Sequence, residues 1–407
     1  MTDVSQLKDS YPHVIVGGGE AADAAVRAIL DAAPETEVLV VNGSQHPPVG
    51  RPALSKTLWM DPDKELTDVY LGTERTGATV VNDAHATALD PERHTVTVEG
   101  REISYGRLLL ATGSRARRLP DQPESPRVLT LRETEDFVAL RPLISEGTEV
   151  AVVGGGYIGS ELAAGLSNVG ARVTLCFPDE KLLAHMLPDS IATHVSEVYG
   201  GKGITLESGF RAGSVDVADP ERPTVVAEDG RKVIADVVVL ALGADPAVEL
   251  AEDAGLATAE GGVRVDATMA TSAVDVWAAG DIAAFPDALF GRRRVEHVVN
   301  AGGTGKTAGA NMAGAHTEYT DTPMFFSDLF DDGYEAVGLL DTGLETREFW
   351  NDDHTAAVIY YLDGHEVRGV LNWNTWDSVG TALETIADSQ AGKIGPADLE
   401  GRITPGA

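Results

Sequence analysis

Cysteine is nearly absent from this chain of 407 residues, in which Cys176 is the only one. A single cysteine excludes an intramolecular disulfide and a CxxC redox pair. Long apolar segments are absent too, because no run approaches the roughly 18 residues expected of a membrane span. The first residues lead straight into a predicted strand, without a charged and then apolar leader. We therefore expect a cytoplasmic protein without a membrane anchor.

Basic residues are also scarce. Lysine and arginine total 31 against 64 aspartates and glutamates, which gives a formal net charge of -33, and only eight of the basic residues are lysines. A surface this acidic repels phosphate backbones, which argues against nucleic acid as a ligand. Salt screens such self-repulsion, so we predict a halophilic protein. An ordinary acidic cytosolic protein is the alternative.

Glycine, in contrast, is abundant, with 44 residues, and many stand directly after apolar runs. The first such place is the strand-like run 13–16, which is followed by Gly17, Gly18, Gly19 and Ala22 and then by a helix-like stretch. In a G-x-G-x-x-A turn the glycines permit a tight bend and the close approach of a pyrophosphate, while the small Ala22 lets the helix pack on the strand. The pattern predicts a dinucleotide-binding fold.

A second copy of this pattern lies in the middle of the chain. The apolar run 149–153 leads into 154–159 (GGGYIG), and a helix-like stretch follows. About twenty residues beyond the last glycine stands Asp179, where a carboxylate partner for a ribose hydroxyl is expected. Two such units, each in register with a strand and a helix, predict two nucleotide sites in one chain.

Three other strand-like runs end at small residues, which suits close approach of a ligand or a crossing between domains. These ends are Ala111-Thr112-Gly113, Gly243 and Gly280-Asp281. We predict an α/β protein with one dinucleotide-binding domain (1–115 and 245–320) interrupted by a second (116–244). A smaller α+β domain (321–407) should follow, with a hairpin at Asp363-Gly364 and a helix from Ser378 towards Ser389.

Longer motifs carry a family resemblance that covers nearly the whole chain. They are 51–56 (RPALSK), 155–163 (GGYIGSELA), 291–297 (GRRRVEH) and 325–329 (FFSDL). The chain resembles the FAD-dependent pyridine nucleotide oxidoreductases, in particular the ferredoxin and rubredoxin reductases and apoptosis-inducing factor. The resemblance implies a glutathione-reductase-like, three-layer arrangement of two Rossmann-like domains, with FAD and NADH as cofactors.

The same resemblance implies site residues. Lys56, Glu161 and His297 would be the catalytic residues, with Lys56 against the flavin and paired with Glu161. FAD would be bound by the first loop together with Asn42, Arg51, Ala111, Thr112, Gly113, Gly280, Asp281 and Phe326. Glu296 and His297 would lie near the isoalloxazine or the nicotinamide ring, and Gly243 would be a further cofactor-binding residue. NADH would be bound by Gly154, Gly156, Ile158, Gly159 and Asp179, and NADPH is less favoured because a carboxylate repels its 2′-phosphate. No metal site is expected.

Two of these residues depart from the family pattern. Asn42 stands where the family places an acidic residue on the FAD ribose, so either the amide substitutes or FAD is held more weakly. Phe326 replaces a tryptophan, which alters stacking at the ring. We expect both departures to affect flavin affinity and not the fold.

The implied reaction carries electrons from NADH through the flavin to an acceptor. The missing CxxC pair excludes a disulfide-reductase mechanism. The acceptor would be a ferredoxin or rubredoxin, which an acidic chain would dock through a local basic patch around Arg115, Arg117 and Arg118 or in screening salt. Quinone or oxygen are other acceptors. The alternatives are a slow oxidoreductase with redox-controlled association, including a homodimer, and an NADH:quinone reductase.

Overall fold

A computed structural model describes residues 4–406 of the chain, and its first unit is a seven-stranded sheet. Strand β1 is central and pairs in parallel with β2 and β6. Val14 and Ile15 are fully buried, as is typical of parallel strands covered on both faces. The elements are β1 (Ser10–Val16), α1 (Glu20–Ala32), β2 (Val38–Val41), α2 (Pro52–Ser55), α3 (Thr57–Met60), β3 (Thr79–Val81), β4 (Ala86–Asp90), β5 (Thr95–Val98) and β6 (Arg101–Leu110).

The second unit repeats this design on a smaller scale. Its main sheet has five parallel strands in the order β11-β10-β9-β15-β8, and three short antiparallel strands lie beside it. The elements are β7 (Ser114–Ala116), β8 (Val128–Thr130), α4 (Thr134–Leu140), β9 (Glu149–Val153), α5 (Tyr157–Asn168), β10 (Arg172–Cys176), α6 (Asp189–Gly201), β11 (Thr205–Glu207), β12 (Ala212–Asp216), β13 (Thr224–Ala227), β14 (Lys232–Ile234) and β15 (Val237–Leu240).

The chain then returns to the first unit. Strand β16 pairs antiparallel with β7, which joins Ala244 to Ala116 and Pro246 to Ser114. We propose the boundaries near residues 115 and 245 at this two-stranded crossing. Strand β19 completes the first sheet beside β6. The returning elements are β16 (Ala244–Pro246), α7 (Glu249–Asp253), β17 (Thr258–Ala259), β18 (Gly262–Arg264), β19 (Val276–Ala278), β20 (Ala283–Asp287), β21 (Gly291–Arg294) and α8 (Val298–Met312).

The last unit is a five-stranded antiparallel sheet with one helix against it. Strand β25 ends at Asp363 and pairs there with Glu366, so the predicted hairpin is present. The predicted helix runs one residue further than expected, to Gln390. The elements are β22 (Met324–Leu329), β23 (Asp332–Gly338), β24 (Glu345–Trp350), β25 (Ala357–Asp363), β26 (Glu366–Trp373) and α9 (Val379–Gln390).

This architecture confirms the predicted α/β class. Helices α1 and α8 pack closely because Gly305 and Gly309 have no side chains. A Cβ at either position would collide with the backbone of α1. Within residues 4–406, no helix combines the length and the apolar character needed to cross a membrane.

Candidate functional site

The first glycine turn leaves no room for side chains. Gly17 has φ +130°, and a Cβ there would lie 2.0 Å from the carbonyl oxygen of Ala111. A Cβ on Gly18 would meet the Asn42 side chain at 2.1 Å, and one on Gly19 would meet Arg51 Nη1 at 2.6 Å. The turn therefore brings bare backbone beside a guanidinium group.

A cavity of about 390 Å³ opens between the two glycine turns and strand β22. Fourteen of the residues predicted from the sequence line it, and they come from all three units. They are Gly19, Arg51, Lys56, Ala111, Gly113, Gly156, Ile158, Glu161, Gly243, Gly280, Asp281, Glu296, His297 and Phe326.

The other eight predicted residues do not line this cavity. Five belong to the two turns themselves, and a Cβ on Gly159, for example, would lie 1.8 Å from the carbonyl oxygen of Gly154. Thr112 donates from Oγ1 to the Ala247 carbonyl oxygen at 2.6 Å. The whole group is Gly17, Gly18, Ala22, Asn42, Thr112, Gly154, Gly159 and Asp179.

A lysine–glutamate pair lies inside the cavity. Lys56 Nζ is 3.1 Å from Glu161 Oε1 and 4.0 Å from the exposed Asp328. The hydroxyls of Ser55 and Ser327 donate to the two Glu161 oxygens at 2.9 and 3.0 Å. The Lys56 and Glu161 side chains are only 16% and 10% exposed. A buried pair persists where further hydrogen bonds hold it, and these serines provide them.

An aromatic wall surrounds His297. Its ring centroid lies 5.6 Å from that of Phe325 and 5.2 Å from that of Phe326, and Lys56 Nζ is 5.3 Å from the Phe326 centroid. Burial and the Lys56 cation lower the pKa of His297 to about 4. The imidazole is therefore neutral at pH 7. Because Nδ1 accepts from the Val299 amide, the proton is on Nε2.

Two charged residues were not identified from the sequence: Arg132, which lines the cavity, and Glu133, which contacts the cavity-lining Arg51. Arg132 forms an ion pair with Asp281, which also accepts from Ser114 Oγ at 3.1 Å. Glu133 accepts from Arg51 Nη2 at 2.7 Å. Both residues follow β8 and precede α4, so the inserted unit reaches across to the carboxylate and the guanidinium of the first unit.

Asn42 lies at the end of β2, close to the first turn. Its Nδ2 donates to the His46 carbonyl oxygen and to Asn82 Oδ1, both at 2.8 Å, and its Oδ1 accepts from the Ser44 amide at 3.2 Å. Both amide hydrogens are thus committed within the protein. Only Oδ1 retains capacity to accept, where a carboxylate would offer two oxygens.

These features fit a dinucleotide. Gly19 and Gly156 are the N-cap residues of helices α1 and α5, and neither helix has a side-chain cap for its first N–H groups. Such open helix N-termini bind phosphate groups, and Arg51 adds a positive charge at the first of them. The Asp281 carboxylate suits a hydroxyl-bearing chain further along the cavity.

Comparisons with known proteins agree with this geometry. A family model described as pyridine nucleotide-disulphide oxidoreductase matches residues 11–305. The chain belongs to this family. A second model, described as the mitochondrion-associated C-terminal part of apoptosis-inducing factor, matches residues 308–355.

Individual members of the family cover most of the chain. It is 32% identical to the ferredoxin–NAD(+) reductase component of the anthranilate 1,2-dioxygenase system of Burkholderia cepacia, over 92% of this chain and 94% of that protein. It is 31% identical to a monodehydroascorbate reductase of Arabidopsis thaliana, over 91% and 80%. The structure of a ferredoxin reductase from Rhodopseudomonas palustris superimposes with a TM-score of 0.81, 28% identity and coverage of 92% and 94%.

The family membership confirms the predicted class of activity. The protein is an FAD-dependent oxidoreductase that uses NADH, and its two dinucleotide-binding folds and C-terminal domain are those of the ferredoxin reductases. Cys176 lies in the core of the inserted unit, and burial raises the pKa of its thiol to about 12. The thiol is thus protonated, and Cys176 is not among the residues that line the cavity.

Proposed function

We propose that this chain passes electrons from NADH, through FAD, to a ferredoxin- or rubredoxin-like protein. The observation that carries the proposal is the Lys56–Glu161 pair in a cavity shared by both glycine turns, with no cysteine among the lining residues. Electrons reaching the flavin therefore leave without a protein disulfide. The ferredoxin reductase relatives, and a solved covalent complex of putidaredoxin reductase with putidaredoxin at 26% identity and TM-score 0.81, support the acceptor class.

The site residues divide into two groups by what they hold. The N–H groups after Gly19, with Arg51, would bind the FAD pyrophosphate, and Asp281 its ribityl hydroxyls. Asp179 and the turn at Gly156 would bind NADH. When bound, FAD would supply the redox chemistry, in which two electrons from NADH are passed on to the acceptor singly or in pairs.

Lys56, Glu161 and His297 would act at the reacting end. The ion pair with Glu161 would hold the Lys56 ammonium group in position before negative charge develops beside it. The aromatic wall around neutral His297 would limit the access of water to the reacting end. The low exposure of the Lys56–Glu161 pair supports this arrangement.

The net negative charge of the chain affects how an acidic partner protein can dock. Arg115 pairs with Glu249, and Arg117 pairs with Asp245 at 2.7 Å, so the predicted basic patch is largely neutralised. An acidic ferredoxin would be repelled at low ionic strength. We therefore propose that the protein works in concentrated salt, which screens the encounter. A cytoplasmic location and a homodimer stay predictions.

A second function has one specific observation in its favour. The match to the C-terminal part of apoptosis-inducing factor covers β22, β23 and β24. We therefore keep slow NADH oxidation with redox-controlled association as the alternative. An NADH:quinone reductase is a further candidate for the acceptor step.

An anaerobic titration separates these functions. The purified yellow holoenzyme is reduced with NADH in low and high KCl, and then receives a ferredoxin, a rubredoxin, a quinone or air. Fast reoxidation by the ferredoxin or rubredoxin, and slow reoxidation by air, is the expected result. A long-lived reduced form that changes its sedimentation coefficient would instead establish the association function.

A further inference from the structure

The loop after β10 contains a histidine–aspartate pair that the proposed function does not use. His185 Nδ1 lies 3.1 Å from Asp179 Oδ2. A carboxylate only accepts hydrogen bonds, so Nδ1 is the donor. One oxygen of Asp179 is therefore committed to His185, and Oδ1 is left for a ligand hydroxyl.

Both ends of this loop are held by other parts of the protein. The Gly209 amide donates to the Asp179 carbonyl oxygen at 2.9 Å. Thr342, which lies in the C-terminal unit between β23 and β24, donates from its amide to the His185 carbonyl oxygen at 3.2 Å. Its Oγ1 donates to the carbonyl oxygen of Ala184 at 2.7 Å. The backbone at His185 is thus held by a second unit of the fold, while its side chain is half-exposed.

The charges around the loop are mostly negative. Glu180 follows Asp179 directly, and Asp341 precedes the anchoring Thr342. Lys181 is the nearby cation in sequence, but its ammonium group is paired with Asp189. Arg231, which donates to the Gly209 carbonyl oxygen, is paired with Asp229 and Glu207. A 2′-phosphate would therefore meet carboxylates here, and both nearby cations are already paired.

We propose that His185 is a positioning residue that sets the preference for NADH over NADPH, by holding the Asp179 carboxylate towards the adenosine ribose. The inference rests on the proposed placement of Asp179 at that ribose. Without its partner, the partly exposed Asp179 side chain must be ordered by the ligand itself. Ordering one such side chain lowers affinity by about three- to tenfold, and a mobile carboxylate can also swing away from a 2′-phosphate.

The test compares two substitutions at one position in the FAD-loaded protein. His185→Leu removes the donor, whereas His185→Asn retains an N–H where Nδ1 stood. Dissociation constants of NAD⁺ and NADP⁺ are measured by calorimetry, and kcat and KM with ferricyanide as acceptor. His194→Leu is the matched control, because His194 makes a similar contact with Asp332 at 2.8 Å.

We expect His185→Leu to lower the ratio of the NADP⁺ to the NAD⁺ dissociation constant about three- to tenfold. KM for NADH should rise with kcat unchanged, and His185→Asn should restore the ratio. A ratio that stays the same in His185→Leu, or that falls equally in His185→Asn or in the control, overturns the proposal. Asp179→Asn separates failure of the His185 proposal from failure of the proposed site. If the ratio of dissociation constants is unchanged in Asp179→Asn, Asp179 does not bind the adenosine ribose, whatever acceptor the enzyme uses.

Discussion

At the scale of single residues, the site combines groups that the sequence identifies with groups that only the fold brings near. Lys56 and Glu161 stand in recognisable motifs, and they meet at 3.1 Å. Ser55 and Ser327 stand in the motifs 51–56 and 325–329 as well. Their bonds to Glu161 were not predicted, because a hydroxyl that donates across 106 or 166 positions of the chain leaves no local pattern.

Replacing Lys56 tests the reacting end. Lys56→Ala should slow the bleaching of the visible flavin band by NADH about a hundredfold, because it removes a preorganised charge from a site with little water. Stopped-flow absorbance measures the rate in a single turnover. Lys64→Ala, at an exposed position, is the control, and equal rates in wild type and Lys56→Ala would remove Lys56 from the site.

A buried histidine makes stability depend on pH. Burial, and then Arg107, lowers the pKa of His13 from 6.5 to about 4. The unfolded chain therefore binds a proton before the folded one does, and stability falls as the pH drops from about 6.5 towards 4.

Between pH 7 and pH 5 the His13 contribution amounts to about 2 kcal/mol of unfolding free energy. Urea titrations of wild type and His13→Leu at the two pH values measure it. On going from pH 7 to pH 5, His13→Leu should lose less unfolding free energy than wild type, by about 2 kcal/mol. Parallel losses in both proteins would contradict the lowered pKa.

At the scale of elements, the strand–turn–helix units follow their sequence patterns closely. Apolar runs, glycines and the helix starts coincide in β1 and α1, and again in β9 and α5. The strands β12 to β14, of three to five residues, and the ribbon β17–β18 were not predicted, since segments this short do not show a clear period. The contacts of Arg132 and Glu133 were missed too, although the capping box from Glu133 to Asp136 marks a helix start.

The crossing of α1 and α8 provides a test within one helix. A Cβ on Gly305 would lie 2.3 Å from the Ala21 carbonyl oxygen, whereas one on Gly302 would lie 3.8 Å from Glu20. Gly305→Ala should lower the free energy of unfolding by about 2–3 kcal/mol through overpacking. Gly302→Ala should be neutral or stabilise by up to about 1 kcal/mol through helix propensity.

Denaturant titrations of the two holoenzymes, with the released FAD measured alongside, provide the comparison. Gly305→Ala should also release FAD more readily, because α1 begins at the first glycine turn. If Gly305→Ala and Gly302→Ala had equal free energies of unfolding, α1 and α8 could move apart with little loss of stability, which would contradict the prediction.

At the scale of the whole molecule, the net charge of -33 dominates. Repulsion among carboxylates opposes the compact state, and the Debye length falls from about 10 Å at 0.1 M salt to about 3 Å at 1 M. The melting temperature of the holoenzyme should therefore rise by roughly 5–10 °C between about 0.1 and 2 M KCl. Scanning calorimetry with excess FAD measures it, and a falling melting temperature would refute adaptation to salt.

The β7–β16 crossing has a consequence for how the protein can change. The inserted unit enters and leaves through two strands whose residues Ala116 and Ala244 stand opposite each other in the antiparallel pair. The two ends of the inserted unit therefore lie side by side on the first unit. A different nucleotide module with equally close ends can be spliced at these two points without cutting the host sheet. Such a module would also have to supply the carboxylate that pairs with Lys56, because Glu161 comes from the inserted unit.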